Sequence, residues 1–100
     1  MPVRVTDLEF DAWNEAEFDR HGVGEREIRQ VLDNEPVFFR NKRPHAAQLV
    51  MVGPTLGGRL LTVPLAPTTR EGVWRPATAW DASDGERARY RASHGRPPRR

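Results

Sequence analysis

Residues 12–40, AWNEAEFDRHGVGEREIRQVLDNEPVFFR, decide the fold class, because the apolar pattern changes its period within them. Residues 12–21 read as a short helix stopped by Gly22, since glycine just past a helix adopts the left-handed conformation at little cost. A second helix follows at once. Gly24 stands at its N-cap, and Glu27 sits where a capping-box carboxylate belongs. Val23 and Ile28 occupy the positions of a hydrophobic staple. Ile28, Val31 and Leu32 form an apolar stripe at helical spacing. Pro36 closes the segment, because the residue before proline avoids the helical region. Val37–Arg40 then reads as a short strand.

Further strands follow. Ala47–Gly53 is the second, Gly57-Gly58 marks a turn, and Arg59–Ala66 is the third. Pro64 demotes the far end of that strand to an edge or a bulge. The loop PTTREG leads to a fourth strand, Val73–Trp80, with Pro76 inside it. A short strand near Val3–Val5 fits before the first helix. Ser83 and Glu86 form an S-x-x-E capping box for a last helix from Asp84 to His94, stopped by Gly95. The expected architecture is α+β: two N-terminal helices packed on a four-stranded antiparallel sheet, one sheet face covered, with a C-terminal helix. Residues 1–94 make a single domain, and 95–100 a basic disordered tail.

The net charge of +2 conceals a strong asymmetry. Residues 7–35 hold ten acids against three bases; residues 36–80 hold six bases against one acid; residues 81–100 hold six arginines against three acids. Arginine supplies fifteen of the sixteen bases. Guanidinium forks onto phosphate, which suits RNA recognition, although a GC-rich genome enriches arginine as well. The segregation of charge is the more informative feature. Cysteine is absent, which removes disulfides, thiolate metal sites and a thiol nucleophile, and favours a reducing, cytoplasmic setting. No stretch has signal-peptide character or the ~20 apolar residues of a membrane helix. The histidines His21, His45 and His94 share no ligand spacing, so no metal or other cofactor is expected. Phosphate-loop and nucleophile-elbow motifs are missing too.

Arginines on a sheet, a few histidines and aromatic residues remain. Period two puts Trp74, Thr78 and Trp80 on one face of the fourth strand, and Arg75, Ala77 and Ala79 on the other. In the third strand Arg59, Leu61, Val63 and Leu65 share a face. Arginines near strand ends can reach the rim and offer several donors to a phosphate, or pair with surface carboxylates. His21 suits the helix C-terminus through the dipole and equally suits proton transfer. His45 lies in the basic loop with Arg40, Lys42 and Arg43, a solvated turn or a backbone contact for RNA. Trp13 reads as core, spaced from Ala16 and Arg20. Trp74 and Trp80 read as core or as a base-stacking surface. Tyr90 would pin the polar last helix to the sheet.

Together these motifs resemble a known family. WNEAEFDRHGV is similar to the W-[DN]-E-x(4–7)-[KR]-H-G-V opening of BrnT-like toxins. Gly53 and Gly58-Arg59-Leu60-Leu61-Thr62-Val63 resemble that family's central hairpin. Arg75-Pro76-Ala77-Thr78-Ala79, Ala82-Ser83, Glu86-Arg87 and Tyr90 resemble its closing segment. The similarity spans about Leu8 to Tyr90. The chain departs from the pattern at Trp80, Asp81 and Pro54, where the family carries cations.

The resemblance implies a RelE-like ribonuclease fold. It implies a type II toxin that cleaves mRNA without metal, and a cognate antitoxin bound in a heterotetramer or higher complex. On that basis Arg59 and Arg75 are expected to stabilise the phosphate attacked by the RNA 2′-hydroxyl, with His21 moving the proton. Trp80 would stack a base, while Arg40, Lys42, Arg43 and Arg87 hold the RNA backbone. An acidic antitoxin segment would seat on the basic sheet face by salt-sensitive attraction. The substitutions at Trp80 and Asp81 motivate an alternative: a catalytically weakened or inactive RNA- or protein-binding module of the same fold.

Overall fold

Asp11 starts the first helix with a reciprocal pair of bonds: its carboxylate accepts from Asn14 N–H, and the Asn14 side chain accepts from Asp11 N–H, each at 2.9 Å. A computed structural model describes residues 4–41 and 47–93. Helix α1 runs Ala12–Arg20 and α2 runs Glu25–Asp33. Between them Gly22 has φ +68°, the left-handed stop expected of it. The Glu27 carboxylate accepts from Gly24 N–H at 3.2 Å, and both staple residues, Val23 and Ile28, are buried. The start of α2 is therefore as the sequence indicates.

The cap also corrects one expectation. Asn14 is buried, and Phe18 lies one turn further on the same inward face. Trp13 sits about 100° round the helix from Asn14, so it cannot share that face. It is 81% exposed rather than part of the core.

The strands are β1 Asp7–Leu8, β2 Val37–Arg40, β3 Leu49–Pro54, β4 Leu60–Pro67, β5 Val73–Pro76 and β6 Trp80–Asp81; α3 covers Asp84–Ser93. They form one six-stranded sheet in the order β1-β5-β4-β3-β2, with β6 paired to β4. The sheet is mixed, because β1 runs parallel to β5 (Asp7 opposite Val73). The expected four-stranded antiparallel sheet is thus corrected in two ways. The N-terminal strand lies at Asp7–Leu8, where Thr6 and Asp7 N–H donate to Gly72 O. The expected strand 73–80 is also broken into two.

Proline causes that break. Pro64 and Pro76 lack an N–H for the ladder. Between the pairs Leu65–Pro76 and Thr62–Trp80, β4 advances three residues while its partner advances four. The extra residue is a bulge, which reverses the facing of everything beyond it. Trp74 therefore packs against the main core. Trp80 points to the other face, where its indole N–H donates to Glu86 at 3.2 Å. The two tryptophans do not share a face.

The main core lies between the sheet and α1–α2, built from Phe18, Ile28, Val31, Met51, Leu61, Val63 and Leu65. The opposite face presents Phe39, Val50, Val52 and Thr62, and α3 covers part of it. The α3 anchor is Glu86, whose carboxylate accepts from Thr62 Oγ1 at 2.8 Å and from Ser83 N–H at 2.8 Å. The Ser83–Glu86 box is present as expected, with Glu86 N–H donating to Ser83 Oγ. Helices thus flank both faces, not one. Tyr90 is half-buried, which raises its hydroxyl pKa. No described helix is long and apolar enough to cross a membrane. His45, His94 and the tail 95–100 lie outside the described residues.

Candidate functional site

Arg59 precedes β4 and reaches the α1–α2 turn. Its Nε and Nη2 donate to the two Asp81 oxygens at 2.8 and 3.2 Å. Its Nη1 donates to Gly22 O and to Glu27, both at 2.9 Å. Four of the five guanidinium N–H groups are so committed, and two carboxylates face one cation. The paired acids, Asp81 first, raise the Arg59 pKa further above its ordinary value. In return the Arg59 hydrogen bond holds the Asp81 carboxyl below its ordinary range, against the effect of burial. Arg59 is a clamp joining the helix turn to β4 and β6.

Arg75 forks onto Asp11: Nε to Oδ2 and Nη2 to Oδ1, both 3.0 Å. This bidentate pair lowers the Asp11 pKa, assisted by the Asn14 N–H at the helix start. Arg75 lies opposite Ala66 on β4. Arg59 lies seven residues earlier along the same strand, about 23 Å away at 3.3 Å per residue. Arg59 and Arg75, both expected to stabilise one phosphate, therefore do not converge. Neighbouring strands carry them, but strand register puts them at opposite ends.

Several other expected residues do come together at the Arg59 end. The exposed His21 closes α1, and its ring meets Trp80 edge-on at 6.3 Å between centroids. Arg87, on the first turn of α3, is close enough for its charge to lower the Asp81 pKa. Arg40 is elsewhere, exposed at the end of β2. Lys42 and Arg43 lie outside the described residues.

A groove opens between α3 and the β2–β3 face. It has a volume of about 280 Å³ and is lined by Phe39, Arg40, Asn41, Val50, Val52, Glu86 and Arg89. The Arg89 guanidinium lies 4.0 Å above the Phe39 ring, a cation–π contact. Neither Arg40 nor Arg89 meets a carboxylate at ion-pair distance among the described residues. Burial pushes the Glu86 pKa up, but hydrogen bonds from Ser83, Thr62 and Trp80 outweigh it and keep the carboxyl below its usual range.

Sequence reasoning found Arg40 and missed the rest of the groove. Arg89 stands three residues after Glu86, one turn along the same helix face. That spacing was visible, but which sheet face would receive α3 was not. In the sequence Glu86 shows only its capping role. Asp11 and Glu27 carried no signal as partners of distant arginines, because both ion pairs are set by tertiary contact. No group of three or more metal-ligating side chains occurs among the described residues. No protein-family model matches the chain, and no curated protein matches it at a significant level.

Proposed function

We propose that this protein binds single-stranded RNA in the groove between α3 and β2–β3. One observation carries the proposal: the groove's arginines, Arg40 and Arg89, have no carboxylate partner among the described residues, whereas Arg59 and Arg75 are each forked onto one. A guanidinium already held by carboxylates gains little from a phosphate, because the new contact must displace an existing ion pair. Among the described residues Arg40 and Arg89 meet no such competition. The Arg89 guanidinium, itself seated on the Phe39 ring, supplies a planar cationic surface of the kind single-strand binders use for stacking. This is the RNA-binding form of the alternative motivated by Trp80 and Asp81, a catalytically weakened or inactive module, and it is supported by the carboxylates that hold Arg59 and Arg75.

The test is fluorescence anisotropy with a labelled nine-nucleotide RNA at low salt. Arg40→Ala and Arg89→Ala should each weaken binding about three- to tenfold, while Arg75→Ala leaves it within twofold. Equal affinity for all four proteins would refute the groove assignment.

A second reading, metal-independent endoribonuclease toxin with a cognate antitoxin, is favoured by the grouping of His21, Trp80, Arg59 and Arg87. His21 would take the proton from the 2′-hydroxyl, and the remaining Arg59 N–H would meet the phosphate. Under this reading the chain expressed alone arrests growth, and its RNA cleavage persists in EDTA and drops at least a hundredfold in His21→Ala. Uncut RNA with the wild-type protein rules it out.

A further inference from the structure

Glu86 stands out within the groove for what only one of its oxygens does. Oε1 accepts from Thr62 Oγ1, Trp80 Nε1 and Ser83 N–H, at 2.8, 3.2 and 2.8 Å. Three donors converge on this one oxygen, using its acceptor sites fully and locking the carboxylate in place. Oε2 has no hydrogen-bond partner among the described residues, and no arginine reaches Glu86 within 4.0 Å. Glu86, a fixed and partly buried carboxylate with one oxygen unbonded among the described residues, therefore borders a groove whose other charged members are cations. An anion so placed opposes phosphate binding unless it meets hydrogen-bond donors of the same ligand.

The nucleobases differ in how they meet a lone acceptor. Adenine and cytosine place an acceptor ring nitrogen beside the amino group, and its lone pair repels a carboxylate. Uracil places a carbonyl on either side of its N–H. Guanine alone presents two adjacent donors, the N1 imino and N2 amino groups. At about 280 Å³ the groove falls just below the ~300–1,000 Å³ range of drug-sized ligand clefts, a size suited to one base. Arg89 on α3 is placed to take a flanking phosphate; Arg40 borders the groove at the exposed end of β2, where the register sets it opposite Leu49.

We propose that Glu86 makes this groove selective for guanine, accepting the guanine imino and amino hydrogens at Oε2 while Arg40 and Arg89 hold the adjoining backbone. The inference rests on the groove being the RNA site. It adds base choice to that site, and the two can fail separately.

The experiment compares three nine-nucleotide RNAs, U9 and U9 with a central G or a central A, on the full chain by anisotropy. The G-containing strand should bind about tenfold tighter than either other, the expected gain from hydrogen bonds to a charged acceptor. Glu86→Gln keeps an oxygen for Thr62, Trp80 and Ser83, and glutamine serves equally in a capping box. It replaces the open acceptor with an NH2 donor. In that variant the preference for G should vanish or reverse, with the circular dichroism spectrum unchanged. Equal binding of all three strands by the wild type, still weakened by Arg40→Ala, overturns guanine selection and leaves the RNA site standing. No binding of any strand overturns both. A G preference that survives Glu86→Gln also overturns the assignment. Because the strand series is read first on the wild type, the proposal stays testable if the variant fails to fold.

Discussion

At the residue scale, Arg59 shows how one side chain changes meaning with its surroundings. Its position before an apolar strand suggests a donor aimed at a ligand. In the folded chain it ties Gly22, Glu27 and Asp81 together. Arg59→Met should therefore lower unfolding free energy by about 1–2 kcal/mol, the range for hydrogen bonds to charged groups discounted for partial exposure. A fall in the urea midpoint at unchanged m-value is the measurement. Acid titration offers a second view of the same clamp. The folded-state pKa of Asp81 is depressed from 3.8, so its ion pair adds stability above that value. The contribution disappears as pH falls through the lower folded pKa. The wild type should lose stability as pH drops below about 4. Asp81→Asn should lower stability at neutral pH and make the acid limb shallower. An equally steep acid limb in Asp81→Asn would remove the clamp from the account.

At the element scale, the bulge between β5 and β6 matters most. Alternation along 73–80 places both tryptophans on one face, and it holds only while every residue pairs. Two prolines on adjacent strands interrupt pairing, and one surplus residue inverts the pattern. Proline positions were legible in the sequence. The register that set Pro76 against Leu65 was not. A close approach fixes the other end of the sheet. A Cβ built on Gly53 of β3 would lie 3.0 Å from Pro36 Cα and 3.1 Å from Val31 Cγ1. Backbone, and a side chain in the packed core, cannot give way easily there. Gly53→Ala should thus cost about 1–3 kcal/mol, as overpacking does. A melting temperature equal to wild type would show that α2 can shift away from β3.

At the scale of the whole molecule, charge segregation becomes a surface. Most of the acidic stretch 7–35 folds into α1 and α2 on one side of the sheet. Part of the basic remainder faces the groove beside α3 on the other. RNA binding should be salt-dependent, each neutralised phosphate contributing about −0.7 to the slope of log K against log salt. Arg40→Ala should make that slope shallower by about 0.7, and Arg75→Ala should leave it unchanged. The sequence by itself determined the class of fold and most of its local landmarks: both N-terminal helices, the Gly22 stop, the Gly24–Glu27 and Ser83–Glu86 caps and three of the strands. Those depend on hydrogen bonds and side-chain periods within a few residues. Tertiary structure alone decided that Asp7–Leu8 joins the sheet in parallel, that Trp13 faces solvent, that Arg59 and Arg75 part to opposite ends of β4, and that Glu86 and Arg89 meet Phe39. Each of these joins residues distant in the chain or is set by how an element is turned on the core, and packing resolves such matters only when the whole sheet has assembled.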